Sequence, residues 1–280
     1  MALVIGSVMA DAINEKLGVA LKMKDVAVDV TDYVSDILEY GNEVHFPSFT
    51  RLSDAEEVTK GTALVPEEIG MSDNVATVKQ TAKPVRIYDK DRAQIKGKVI
   101  DAMTTQISEV MASKIDSDLV AEMIGNAVYK TPMSGATPTL AEIDSLFDVF
   151  GDQVQNGSFA GIVVPGKFRT AITRLEEFSK MDKSYAVSGN GIVDNENCIG
   201  FWNGTIPVYL SDKMVDVEHD NEPVMAVIKK GALGYIMQKQ TSIEEEREAK
   251  LLAVDLVASN LYAVKLLDSK GVSILKKTIA

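Results

Sequence analysis

The stretch Asp91–Val128, DRAQIKGKVIDAMTTQISEVMASKIDSDLVAEMIGNAV, reads as a single helix several times the ordinary length. Apolar residues recur at Ile95, Val99, Met103, Ile107, Met111, Ile115, Leu119 and Met123, and Ala102, Val110 and Ile124 widen the stripe. Spacings of three and four put such residues on one helical face. A sustained repeat of four drifts around a helix of about 3.6 residues per turn, so the stripe winds and needs partners on more than one side. No proline interrupts it, and Gly97 is its weak point, costing about 1 kcal/mol relative to alanine. Asp89 or Asp91 can cap the start, and Gly125–Asn126 offers an end. At about 1.5 Å per residue the rod would be roughly 50 Å long. It suits a core helix of an α/β enzyme, a coiled-coil segment, or a spine to which separate lobes attach. The flanking sequence decides among these.

Upstream, residues 1–40 read as helical, with Val8, Ala12, Leu17 and Leu21 as a weak apolar stripe followed by VAVDVTDYVSDILEYG. This arm has too little apolar surface for a core of its own and should pack on something else, in its own chain or a neighbour. Residues 42–88 change character. NEVHFPSFTRL and ATVKQTAKPVRIYDK alternate as strands, with Pro47 restricting the first to an edge. Between them lies a charged segment broken by Gly61, Pro66 and Gly70. Together they predict a long β-hairpin with an elaborate tip, and a hairpin so poor in apolar surface is expected to lie on another subunit.

Downstream, KTPMSGATPT breaks the helix, and Thr139 caps LAEIDSLFDVFGDQV with Leu140, Ile143, Leu146, Phe147 and Phe150 inward. FAGIVVP predicts a buried strand, Gly166–Phe178 a second helix, SKMDKSYAVSGNG a polar loop and Gly204–Asp212 another strand. That order gives a compact α/β lobe. VMAVIKKGALGYIMQKQ reads as two strands around Lys229–Gly231. Alternation through Leu252–Leu256 and Tyr262–Leu266, with a turn at Asp268–Gly271 and a strand beyond it, predicts that the final third builds one antiparallel sheet covered by the long helix.

Composition narrows the function. With 280 residues, 46% hydrophobic and net charge −12, the chain can bury a large core, but its surface repels nucleic acid and anionic membranes. No apolar run reaches the roughly 20 residues that span a bilayer, and the N-terminus lacks a basic leader, so neither a membrane span nor a signal peptide is expected. Cys198 alone cannot form an intrachain disulfide and reads as a buried structural thiol. His45 and His219 have no partners at metal-ligand spacing, and no phosphate loop or nucleophile elbow occurs, so no catalytic, cofactor or metal site is assigned. Trp202 reads as core of the α/β lobe. Glu244, Glu245, Glu246 and Glu248 form either a solvated run or an interface strip.

The segments VHFPSFTRLSDAEEVTKGTAL, VKQTAKPVRIYDKDRAQ leading into KIDSDLVAEM, IVVPGKFRTAITRL and AVIKKGALGYIMQKQTSIEEERE…YAVKLLDSKGVSILKK, in this order, resemble a tailed-bacteriophage major capsid protein of the Hong Kong 97 type. The resemblance covers nearly the whole chain. It implies an α+β fold: an N-terminal arm at 1–40, an extended hairpin loop at 41–88, a peripheral domain of spine helix and sheet at 89–137 with 223–280, and an axial domain at 138–222. The Ser179–Gly191 loop would lie near the capsomer axis. The implied function is a non-enzymatic shell protein forming pentamers and hexamers around double-stranded DNA, without sequence-specific binding. Its partners would be itself, a scaffold, a portal and decoration proteins. It would be assembled in the host bacterial cytoplasm and reside in the virion. Subunit-interface residues would be Asp54, Glu56, Glu57 and Lys60 at the hairpin tip, and Glu244, Glu246 and Arg247 on the acidic strip. Lys60 and Lys79 do not by their positions establish the covalent crosslink of some relatives. Scaffolding would be separate or already removed. An encapsulin shell shares the fold, and a soluble α/β hydrolase with an acidic pair in 138–222 is the reading from another class.

Overall fold

The computed structural model describes residues 2–31, 42–49, 52, 66–68, 70–94, 99–151, 157–180 and 198–279. Its longest helix is the spine, α3 (Val99–Asn126); α1 (Ala2–Ala20) lies N-terminal to it and the short α2 (Asp89–Gln94) just before it. The expected rod from Asp91 to Val128 is thus described as two helical pieces, with 95–98 outside the described residues. Ile107, Met111, Ile115, Leu119, Met123 and Ile124 are buried as the stripe predicts. Of the widening residues only Ile124 is buried; Ala102 and Val110 face solvent, and Ala112 and Val120, which the stripe did not include, are buried instead. A stripe that drifts through several turns cannot keep both flanks inside.

The spine lies on a four-stranded sheet. Its strands are β1 (Val28–Asp29), β4 (Lys79–Tyr88), β13 (Leu233–Glu248) and β14 (Ala253–Leu266), in the order β1-β13-β14-β4. Helix α1 packs in the same core through Ile13 and Leu17, with Leu21 just beyond its end and Met9 beside Val254 and Leu256. The arm's first helix is therefore docked on its own chain. The helical reading fails at Val28–Asp29, which pair in parallel with Gly234–Tyr235; β-branched valine suits a strand better than a helix.

The hairpin is also rearranged. Strand β2 (Glu43–Phe49) pairs with β3 (Met71–Thr77), so the hairpin proper ends at Thr77. The rest of the second extended run is β4, an edge strand on β14. Val44, Phe46 and Ala76 bury against Ile236 and Ala263 on the sheet's outer face, anchoring the hairpin base. Residues 53–65 at the tip are outside the described residues.

A second, seven-stranded sheet runs β5-β15-β12-β6-β9-β8-β7. Its strands are β5 (Tyr129–Pro132), β6 (Phe159–Val164), β7 (Phe178–Lys180), β8 (Cys198–Trp202), β9 (Ile206–Leu210), β12 (Met225–Lys229) and β15 (Val272–Lys276). β10 (Val215–Asp216) and β11 (Glu222–Pro223) form a separate small ribbon. The final third therefore does not build one antiparallel sheet. β13 and β14 form the first sheet, and β12 and β15 cross into the second. Strands buried on both faces read as unbroken apolar runs, and VMAVI does so because Met225 and Val227 face one core while Ala226 and Ile228 face the other. The seven-stranded sheet thus draws β5, β12 and β15 from outside 138–222.

Helix α4 (Leu140–Asp148) covers one face with Ile143, Leu146 and Phe147, and carries the expected cap. Thr139 and Glu142 bond each other's backbone N–H groups in a capping box. The helix expected over Gly166–Phe178 shrinks to a 3-10 turn and α5 (Arg169–Ile172). Phe168 and Ile172 are buried there, and Phe178 turns into β7 against Trp202. β8, which periodicity did not reveal, joins β9 through Asn203 (φ 47°) and Gly204 (φ 70°); such turns match strand twist.

Candidate subunit interface

The residues assigned to an interface divide into two groups. Asp54, Glu56, Glu57 and Lys60 lie outside the described residues. Glu244, Glu246 and Arg247 lie together on the far half of β13, exposed, as do Glu245 and Glu248 around them, although Glu248 is partly covered. Alternation along a strand places Glu244, Glu246 and Glu248 on one face and Glu245 and Arg247 on the other.

Register decides what these charges meet. Glu246 lies opposite Asp255, and Asp255 opposite Arg86, so one rung of the sheet carries acid, acid and base. Asp255 takes two hydrogen bonds from Arg86, Nε and Nη2 each at 2.6 Å. The Arg86 hydrogen bonds hold Asp255 below the usual carboxylate range. Arg247 donates to both oxygens of Asp89, at 2.7 and 2.6 Å. Bidentate pairs fix geometry as well as charge. Arg247 therefore clamps the start of α2 to the end of β13 while remaining exposed. Arg86, Asp89 and Asp255 were not singled out from the sequence, because cross-strand partners depend on a register that no local pattern prints.

Buried polar contacts hold the other end of the same sheet to the spine. Asp118 on the spine accepts from the Tyr262 hydroxyl at 2.8 Å and Lys114 at 2.8 Å, and Lys79 of β4 lies 3.3 Å away. Burial opposes its ionisation, but these partners outweigh it and its pKa is lowered. Asp116, two residues earlier and on nearly the opposite side of the helix, accepts from the backbone N–H groups of Lys22 (3.0 Å) and Met23 (3.2 Å), tying down the chain just after α1. There burial wins and the pKa is raised. The edge of β13 is blunted by the same N-terminal segment. Asn14 bonds both backbone groups of Thr241, at 3.0 and 3.2 Å, and Thr31 accepts from Met237 N–H at 3.2 Å. An edge so occupied does not template stray strand pairing. Between the second sheet and the small ribbon, Lys276 of β15 and Asp216 of β10 form a buried pair at 3.0 Å, with His219 on the same oxygen at 3.0 Å.

Cys198 is buried, its Sγ 3.5 Å from the Gly200 carbonyl, and burial raises its pKa, the opposite of an activated thiol. His45 pairs with Asp73 on the hairpin and His219 with Asp216 on the ribbon. Among the described residues, no group of three metal-ligating side chains occurs. Among those residues, no helix is long and apolar enough to cross a membrane. Trp202 is buried as expected, its Nε1 without a hydrogen-bond partner among the described residues.

No family model matches the sequence, and no curated protein does. Solved structures do match in fold. A structure from Mycobacterium phage Che8 is 19% identical with TM-score 0.62, each chain covered over 89%. The capsid of cyanophage P-SCSP1u is 13% identical with TM-score 0.61, covering 92% of this chain and 88% of its own. The capsid of an empty GTA particle is 10% identical with TM-score 0.65, covering 93% and 90%. Spine, two sheets and hairpin thus form the Hong Kong 97-like fold of phage capsid structures, over about nine-tenths of the chain.

Proposed function

We propose that this chain is the major capsid protein of a tailed double-stranded DNA phage, assembling into pentamers and hexamers of an icosahedral shell. The observation that carries this reading is the coverage: about nine-tenths of this chain matches about nine-tenths of the chain in each capsid structure. The acidic surface supports it too, since a container must enclose DNA without gripping it. On this reading 1–40 is the arm, 41–88 the extended loop with β4 joining the spine's sheet, 89–137 with 223–280 the peripheral domain, and 138–222 the axial domain, whose sheet β5, β12 and β15 extend. Asp54, Glu56, Glu57, Lys60, Glu244 and Glu246 meet neighbouring subunits, and Arg247 does so while paired with Asp89. Scaffold, portal and decoration proteins are the further partners, assembly takes place in the host bacterial cytoplasm, and the chain has no enzymatic role. Expression of the chain, alone and with its neighbouring genes, followed by negative-stain microscopy tests this. Closed particles are expected; a small oligomer under every condition would refute it.

A further inference from the structure

Lys276 and Asp216 are each only 4% exposed, and the lysine Nζ lies 3.0 Å from Asp216 Oδ2. Ile274, Met214 and Val224, each two residues or fewer from the pair or its ribbon partner Glu222, are fully buried in the core that also holds the spine. Charges in such surroundings lose their hydration, a cost that only good geometry offsets. The site is arranged around the Asp216 carboxyl. Its Oδ1 accepts the Glu218 backbone N–H at 3.1 Å. Its Oδ2 accepts from Lys276 Nζ and from the His219 ring through Nδ1, each at 3.0 Å. The flanking backbone is fixed as well. The Lys276 carbonyl accepts from Met133 N–H at 2.9 Å, and Glu222, opposite Asp216 across the ribbon, accepts from Thr278 N–H at 3.1 Å through Oε2. Burial opposes the Asp216 charge, but its partners keep it ionised, so the ion pair is the resting arrangement.

We propose that Lys276 and Asp216 condense to a side-chain amide, a covalent staple within the chain between β15 and the β10–β11 ribbon. The amine and the carboxyl are held together, so their condensation is unimolecular. One carboxyl oxygen rests on a backbone N–H and the other on an imidazole N–H. That is what acyl transfer needs: a donor for the charge that develops on Oδ1, and an acid for the departing Oδ2. In the step, Lys276 Nζ gives up two protons and bonds to Asp216 Cγ. The Cγ–Oδ2 bond breaks, and Oδ2 leaves with two protons as water. His219, as imidazolium, gives one of these to Oδ2 and recovers one from the lysine, so it ends unchanged. Ion pair and products contain the same atoms and the same charge, and no further reactant is consumed. The amide also removes two ions from the interior. With one cysteine, the chain cannot close a disulfide within itself. The amide closes the loop from Asp216 to Lys276 instead, and restricts the unfolded chain as a disulfide does. None of this depends on the shell reading.

Mass spectrometry of the purified folded chain, followed over a prolonged incubation, tests the staple. Most chains should become lighter than the sequence by one water molecule, and a tryptic digest should contain a branched peptide joining the Asp216 and Lys276 segments. Lys276→Arg keeps a cation beside Asp216 but offers no amine, and should keep the full mass. His219→Gln should slow the loss of water by about a hundredfold, the scale of general acid catalysis, while its melting temperature before incubation matches the parent's. Parent chain incubated in urea should lose no water from this pair. A folded parent that keeps its full mass, with both segments recovered as linear peptides, would overturn the proposal. So would a loss of water that persists in Lys276→Arg, because it would come from another site. If Lys276→Arg does not fold, the branched peptide from the parent, present or absent, decides alone.

Discussion

The Asp118 carboxylate accepts a hydrogen bond from the Tyr262 hydroxyl at 2.8 Å, joining the spine helix to the middle of β14 across 144 residues. Asp118 also holds Lys114 and Lys79, so a single side chain gathers spine and sheet. Tyr262→Phe removes one bond and should cost about 1 kcal/mol. Asp118→Ala leaves the buried hydroxyl without its acceptor and should cost about 2–3 kcal/mol. Urea denaturation of the unassembled chain gives both values; a larger loss for the phenylalanine would contradict this ordering.

Acid should weaken the fold in a defined window. Asp118 and Asp216 are held below the ordinary range although burial opposes it, and Glu142, bonded by Ser134 and Thr139, is pulled down to about 2. A depressed folded-state pKa gives stability that is present above the unfolded value near 4 and lost as pH falls through the folded one. Asp116, raised by burial, runs the other way: its contribution fades as pH rises through its folded value. Asp255 is lowered as well, and Asp25 and Asp144 are raised with Asp116, so four lowered carboxylates, with Glu142 pulled furthest, stand against three raised ones and predict a stability that rises from pH 2 to about pH 4.5. A urea midpoint that stays flat across that range would show that these carboxylates do not matter to the fold.

Ile115 is fully buried on the spine. Ile115→Asp would place a carboxylate there with no partner, costing several kcal/mol, comparable with a typical domain's stability of about 5–15 kcal/mol. Insoluble or unfolded protein is expected, whereas Val110→Asp, on the exposed side, should melt within a few degrees of the parent. Equal melting of the two variants would place the register wrongly.

The hairpin separates folding from assembly. Val44, Phe46 and Ala76 anchor its base, and none lies in 53–65. Replacing 53–65 by a short turn should leave the melting temperature unchanged, because little apolar surface is lost. It should abolish particles under the proposed function, and normal particles would remove the tip from the interface.

What could be read beforehand follows from the range of the forces involved. The spine stripe from Ile107 to Met123, the Thr139 cap and the strands at FAGIVVP and GTIPVYL were legible, because periodicity and capping act within a few residues. The splitting of β3 from β4, and of β12 and β15 from β13 and β14, was not, since a strand's choice of sheet depends on partners far along the chain. The same limit hid the candidate site's pairs. Arg247 could be marked as charged and exposed, but its hold on Asp89 arises only when β13 returns beside the start of α2.

The central claim is that these subunits close into a shell. Acidic copies repel, and salt screens them over roughly 8–10 Å near physiological ionic strength, so closure should be favoured by moderate over very low salt. Light scattering with negative-stain microscopy, on protein co-expressed with its neighbouring genes and taken through a salt series, tests this most directly. The account predicts closed icosahedral particles built of pentamers and hexamers, increasing as salt is raised from very low to moderate. A chain that stays monomeric or dimeric at every salt concentration would contradict it.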